Sequence, residues 1–341
     1  MWRNSRFPDR YHGTSQMRRF FEGWYFKMVT RDGSRAVALI PGVFWGDHEG
    51  EHHSFLQVLD GKNATYDYIK DRASAFSFSA KPFSIRVKDS QFSLDLVEPR
   101  VSRKSAPQDP RGERPSTNLT GLVEFSDQVR WQDRWYSPGS MGVYNFIPYM
   151  QCYSQVCVVD AALRGGLNLN GEIIDFTGGR GYVEKNWGRA FPYSWVWVQC
   201  STFDEPTVTV NCSIGHVPMG PGSFRGHLTS VTFNGKFYAF TTMNRSSLTI
   251  RSLGKDLELE FANRQNRLVL RTYSERQSFI LCRGPRNGEM VPMVWESLQG
   301  QVDLELYDQA SGSLLVKSHG VAAGLEYGGE QMQIIDEEPT E

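Results

Sequence analysis

The chain has 341 residues and carries 37 Lys and Arg against 38 Asp and Glu, a formal net charge of −1, with 40% hydrophobic and 22% charged residues. That length suits two domains or one large β unit, and the apolar content is enough for a core, which excludes global disorder. Near-zero charge argues against a nucleic-acid binder, no run approaches the ~20 apolar residues of a membrane helix, and Met1 to Arg10 holds no apolar signal core, so a soluble cytoplasmic protein is the expectation.

Aromatic residues reach 13%, alongside 32 Gly and 16 Pro, a balance that favours short strands and turns over long helices. Trp24 to Val29 places Trp24, Phe26 and Met28 on one side and Tyr25, Lys27 and Val29 on the other, a strand apolar on both faces. Asp32-Gly33 follows it as a tight hairpin turn before Ala36 to Ile40. The stretch Asp47 to His53, with His48, His52 and His53, has the residue types of a metal site but reads as a polar loop, so no metal is expected. Phe92, Leu94 and Leu96 alternate with Ser93 and Asp95 as a half-wet strand. Glu98 to Asn118, rich in Pro, Arg, Lys and Ser, reads as an exposed loop.

Asn170-Gly171 and Asn234-Gly235 mark two more hairpins. Trp195, Trp197 and Gln199 alternate with Val196, Val198 and Cys200 in a second strand apolar on both faces. Leu257, Leu259 and Phe261, then Val302, Leu304 and Leu306, alternate with acidic residues. No amphipathic helix exceeds two turns, and Asp336 to Glu341 is an acidic tail. The five cysteines, Cys152, Cys157, Cys200, Cys212 and Cys282, contain no C-x-x-C pair and read as small buried hydrophobes. Lys81, Arg86 and Lys88, and Arg264, Arg267 and Arg271, read as solvated strand faces, with transient membrane contact as the weaker option. No Gly-x-Ser-x-Gly elbow supports a hydrolase, and Gly178, Gly179 and Gly181 lack the context of a phosphate loop.

Chemistry concentrates between Gly178 and Gln199. In an extended chain Tyr182, Glu184 and Asn186 share one face, and Val183, Lys185 and Trp187 the other. A buried carboxyl beside a phenol and an amide can serve as a proton donor, because burial disfavours its charged form. The same residues can equally form an ion pair or receive backbone N–H groups, with Trp187 in a core. Spacing leaves both open.

Phe20-Phe21-Glu22-Gly23-Trp24-Tyr25-Phe26-Lys27 and Tyr182-Val183-Glu184-Lys185-Asn186-Trp187-Gly188, followed by Phe191-Pro192 and Trp197-Val198-Gln199, resemble the tocopherol cyclase family. Tyr11-His12-Gly13, His53 to Leu59, Phe146 to Tyr153 and Gly324 to Gly329 extend the resemblance over nearly the whole chain. It implies an all-β protein of two lipocalin-like antiparallel β-barrel or sandwich domains, residues 1–175 and 176–341, with an apolar pocket at or near their interface. It also implies cofactor-free cyclisation of a prenylated quinol: a proton adds to the first trisubstituted double bond of the tail, and the phenol oxygen closes onto the tertiary cation.

On that basis Glu184 is the expected acid, with Asn186, Gln199 and Tyr182 orienting quinol oxygens. Trp24, Trp187, Trp195 and Trp197 line the pocket, Gln57 and Lys185 join the substrate-binding set, and Glu22 is the rival acid. Gln151 stands where bacterial relatives lead one to expect Glu. A hydratase or pericyclase on the same scaffold, or a carrier of apolar ligands without turnover, are the alternatives. An apolar small molecule is the expected partner, with localisation cytoplasmic or peripheral to a membrane.

Overall fold

The architecture comes from a computed structural model that describes all residues except 1–5, 15, 103–116, 133, 149, 220–221, 330–334 and 337–341. Most of the expected loop, 103–116, and the end of the acidic tail, 337–341, lie outside the described residues. The chain divides into two compact units. Unit 1 is Met1–Phe191 with Cys282–Pro292, and unit 2 is Pro192–Leu281 with Met293–Glu341.

Strands β1 (Phe20–Val29), β2 (Ala36–Trp45), β3 (His53–Asp60), β4 (Thr65–Arg72), β5 (Phe76–Ala80), β6 (Phe83–Val87), β7 (Ser90–Phe92) and β8 (Leu96–Glu98) open the first sheet. It continues with β9 (Arg100–Val101), β10 (Leu119–Val129), β11 (Cys152–Leu169), β12 (Glu172–Asp175) and β13 (Arg180–Gly188). The barrel-like order is β4-β3-β2-β1-β13-β11-β10-β8-β7-β6-β5. β13 runs antiparallel between β1 and β11, with Glu184 opposite Tyr25 and Val156. That long-range pairing draws residues 176–191 into unit 1, so the division falls at Phe191 rather than near 175. Phe26, Met28, Leu39, Val58, Phe92, Val123 and Val183 pack the unit's core.

The second sheet contains β14 (Ser194–Cys200), β15 (Thr202–Phe203), β16 (Thr209–Met219), β17 (Gly222–Phe233), β18 (Lys236–Thr241) and β19 (Ser247–Leu253). β20 (Asp256–Ala262), β21 (Asn266–Tyr273), β22 (Phe279–Arg286), β23 (Glu289–Asp308) and β24 (Leu314–Gly329) complete it. Its core takes Val196, Val198 and Cys200 from β14, with Leu259, Phe261, Leu268 and Leu304. The alternation in β14, β20 and β23 therefore faces as its period of two requires.

Among the described residues there is no α-helix, only 3-10 turns such as Glu49–Glu51 and Gly142–Phe146. All five cysteines are free and buried. Asn234 and Gly235 both adopt positive φ (49° and 71°), as a tight two-residue turn demands. Asp32-Gly33 differs. There the chain makes a longer loop closed by the Thr30 N–H to Arg35 carbonyl bond (3.0 Å), and Asp32 instead accepts the Thr30 and Ser34 hydroxyls. The expected single strand through Phe92–Leu96 is broken, because Ser93 donates its N–H to the Leu96 carbonyl (2.8 Å) and closes a turn between β7 and β8.

Candidate functional site: two faces of one strand pair

The site grows from the register of β1 against β13. Glu22 stands opposite Trp187, Trp24 opposite Lys185, and Tyr25 opposite Glu184. Alternation then sorts the side chains. Glu22, Trp24, Lys185 and Trp187 share the face that carries the core residues Phe26, Met28 and Val183. Tyr182, Glu184 and Asn186 take the other face with Tyr25 and Lys27. Both faces are buried, so each polar group needs a partner.

On the second face Glu184 is 6% exposed. The Tyr182 hydroxyl donates to Glu184 Oε2 at 2.7 Å, and Asn186 Nδ2 donates to Oε1 at 3.1 Å. The two side chains expected to orient a ligand therefore orient the carboxyl, one on each oxygen. Burial pushes the neighbouring Cys152 thiol up. The same face continues over β2, β3 and β4. Gln57 lies on it, opposite Ile40 on β2 and Tyr68 on β4, and its Oε1 accepts the Tyr66 hydroxyl at 2.5 Å. Phe21, Phe44, Phe55 and Cys152 form an apolar cluster beside these groups.

The core face holds a different arrangement. Lys185 and Glu22 are both 0% exposed and pair at 2.6 Å. The carboxylate also receives the backbone N–H groups of His12 (2.9 and 3.0 Å, one to each oxygen) and Gly13 (3.0 Å). Burial alone would raise the Glu22 carboxyl. The Lys185 ammonium and His12 outweigh it and hold the group below its ordinary value. Burial lowers Lys185, with Glu22 opposing. Lys185 Nζ donates to the Pro8 carbonyl (2.9 Å) and to that of Arg10, and lies 2.8 Å from His12 Nδ1. It also sits over the indoles of Trp24 (4.8 Å) and Trp187 (4.4 Å). The outer neighbours of Trp187 are the stacked rings of His12 (4.4 Å) and Tyr153 (5.2 Å). The structure thus brings Glu22, Trp24, Lys185 and Trp187 into one closed cluster and separates them from Glu184 by the thickness of the sheet.

Trp195, Trp197 and Gln199 belong to unit 2, where they share the β14 face turned away from that unit's core. Trp195 Nε1 donates to Glu326 (2.8 Å), and Gln199 Nε2 donates to Ser201 (2.8 Å). Gln151 donates to the Phe191 carbonyl (2.9 Å) and secures the chain where it leaves β13. The His48 to His53 stretch forms a 3-10 turn and the start of β3, and no cluster of metal-ligating side chains occurs among the described residues. Arg267 and Arg271 pair with Glu260 and Glu258 across neighbouring strands, as solvated strand faces do.

Local spacing carries no signal that the Pro8–Gly13 segment partners Lys185, or that Tyr66 and Tyr68 partner Gln57 and His53. Tyr66 and Tyr68 were visible as an alternating aromatic pair in β4, but their neighbours depend on strand order. No helix among the described residues is long and apolar enough to cross a membrane.

A family model described as tocopherol cyclase-like matches residues 112–329. A protein of Zea mays named "Tocopherol cyclase, chloroplastic" is 23% identical over 94% of this chain and 77% of its own length. A protein of Oryza sativa subsp. japonica named "Probable tocopherol cyclase, chloroplastic" is 25% identical over 53% of this chain, a match that spans only 40% of the rice protein. Among solved structures, that of CghA with Sch210972 superposes with a TM-score of 0.57 at 10% identity, covering 92% of this chain and 89% of that one. A second structure, described as the crystal structure of CghA, gives a TM-score of 0.51 at 10% identity, covering 92% of this chain and 89% of that one. These likenesses, with the two sheets, establish the expected all-β, lipocalin-like fold.

Proposed function

The chain belongs to the tocopherol cyclase-like family, and from that membership we propose that it is an enzyme that closes an oxygen ring on a prenylated quinol or a similar apolar isoprenoid phenol, with Glu184 as proton donor. The observation that carries the proposal is the buried Tyr182–Glu184–Asn186 triplet on one sheet face. Protonating an unactivated alkene requires a carboxyl kept neutral until use, and burial works in that direction. A protonated carboxyl can accept a hydrogen bond at each oxygen and still donate from one. The phenol and amide can therefore hold Glu184 in a single orientation while its proton points at a ligand.

The step balances as an isomerisation. One proton passes from Glu184 to the alkene, the phenol oxygen bonds to the resulting tertiary carbon, and the phenolic proton is released and restores the carboxyl. Holding the oxygen beside the cation removes much of the entropic barrier. Glu22 is the weaker acid candidate on physical grounds, because an ammonium and two backbone N–H groups favour its ionised form. In this scheme Glu22, Trp24, Lys185 and Trp187 act from behind the strand that carries the acid.

The test is turnover of farnesylhydroquinone in deuterated water. The expected product is a chromanol with one deuteron at the former alkene carbon. Glu184→Gln should lower the rate by at least a hundredfold, the lower end for a lost general acid, while the quinol still binds. Undiminished turnover in that variant would refute Glu184 as donor. Solvent oxygen in the product would assign a hydratase, and binding without conversion a carrier.

A further inference from the structure

On the same sheet face as Glu184, two strands beyond β1, lies a second polar group that the proposed reaction has not used. We infer that Gln57 and Tyr68 form a recognition site for a hydroxyl group, an alcohol or phenol O–H carried by an apolar ligand at the end remote from the bond that Glu184 protonates. The inference rests on the proposed function for the identity of that remote end.

Strand pairing places the site. Glu184 faces Tyr25 on β1, Ile40 on β2 occupies the same level, and Gln57 on β3 is the Cα partner of Ile40 and of Tyr68 on β4. Three strand spacings of roughly 4.8 Å set Glu184 and Gln57 about 14 Å apart at Cα.

Hydrogen-bond direction then fixes what each group can offer. The Arg283 backbone N–H donates to the Tyr66 oxygen at 2.9 Å, so the Tyr66 proton goes to Gln57 Oε1 at 2.5 Å. The amide carbonyl is thereby engaged and the NH2 end is turned the other way. Gln57 is 4% exposed, and its Nε2 has no hydrogen-bond partner among the described residues. That NH2 is not sealed from solvent-accessible space, which leaves it open to an acceptor that the chain does not supply.

A second relay fixes Tyr68. His53 Nδ1 lies 2.6 Å from the Glu51 carbonyl, which has only lone pairs, so Nδ1 carries the proton and Nε2 accepts. The Tyr68 hydroxyl donates to that Nε2 at 2.7 Å. Burial pushes the His53 imidazole down to about 4, which keeps it neutral and suited to accept. With its proton committed, the Tyr68 oxygen can only accept.

The pair therefore presents one donor, Gln57 N–H, and one acceptor, Tyr68 oxygen, on directly opposed residues of neighbouring strands. A hydroxyl supplies the complement of both in a single group. An ether or a carbonyl can answer the amide but leaves Tyr68 unanswered. The site thus selects a ligand with a free O–H at this end over its capped equivalent.

Binding of two probes, followed by tryptophan fluorescence, tests this: farnesylhydroquinone and its methyl ether at the hydroxyl para to the ring-closing oxygen. The protein should bind the free quinol about five- to tenfold more tightly than the ether, the value of one hydrogen bond. Tyr68→Phe and Gln57→Leu should each bring the two affinities together, with Tyr68→Phe removing only one oxygen and near-UV circular dichroism verifying that each variant is folded. Equal binding of both probes by the unaltered protein, or a preference that survives in folded Tyr68→Phe, would overturn the inference and leave the cyclase proposal standing. Binding of neither probe would overturn both.

Discussion

Replacing Lys185 by Met leaves the buried Glu22 carboxylate without its cation. The two groups are 0% exposed and 2.6 Å apart, so no water takes over the role of the ammonium. The carboxylate keeps the His12 and Gly13 N–H groups, while the Pro8 and Arg10 carbonyls lose a donor and two indoles lose a charge on their faces. Breaking a buried pair from one side costs about 3–5 kcal/mol. In a unit of this size each kcal/mol moves the melting temperature by roughly 2–4 °C, so a drop on the order of 6–20 °C is expected. Urea unfolding followed by tryptophan fluorescence measures it directly. Glu22→Gln in the Lys185→Met background should recover part of the loss, giving a coupling energy of about 1–3 kcal/mol. A Lys185→Met protein destabilised by under about 1 kcal/mol, or single effects that simply add, would refute the reasoning, since either result requires a cluster already open to water.

Stability should fall as pH drops from 6.5 toward 4. Burial lowers both His53 and His227 from 6.5 to about 4, so in that window the unfolded chain takes up protons that the folded chain refuses. Each shift corresponds to about 3 kcal/mol, fully present above pH 6.5 and lost by pH 4. Urea midpoints at pH 7, 5.5 and 4.5 should shallow their slope in His53→Phe, and an unchanged slope would count against a neutral buried His53. Gly42→Ala should destabilise unit 1 by about 1–3 kcal/mol, because the added methyl meets the Glu22 backbone carbonyl at 2.5 Å and runs into the Phe55 ring. A Gly42→Ala melting curve that overlays the parent would show that both Phe55 and the Glu22 backbone can give way.

Local pattern carried much of this architecture. Period-two alternation separated Tyr182, Glu184 and Asn186 from Lys185 and Trp187 before any strand was paired, and Asn234-Gly235 marked its turn because both residues tolerate positive φ. What alternation could not carry was partnership. That Lys185 meets Glu22 follows from β1 lying beside β13, a contact between residues 163 positions apart in sequence. The same pairing placed the unit division later than 175. The aim of Tyr182 and Asn186 was equally hidden: spacing put both beside Glu184, yet each turned its donor onto the carboxyl instead of outward. At Phe92–Leu96 the alternation was real but the backbone turned within it, since Ser93 and Leu96 found each other before a neighbouring strand did.

Two buried carboxylates three residue levels apart, on opposite faces of paired strands, stand in different surroundings. Glu22, on the core face, is ringed by an ammonium and backbone donors that favour charge, so it serves as a fixed anion. Glu184, on the opposite face, is steered by a phenol and an amide. Lys185 follows Glu184 directly in the chain and projects through the other side of the sheet. Every bond that Lys185 makes to Pro8, Arg10 and Glu22 therefore also fixes the backbone from which Glu184 extends. In the proposed reaction an acid that must meet an alkene in one geometry gains from a strand that cannot slide, and the ion pair on the core face supplies that restraint.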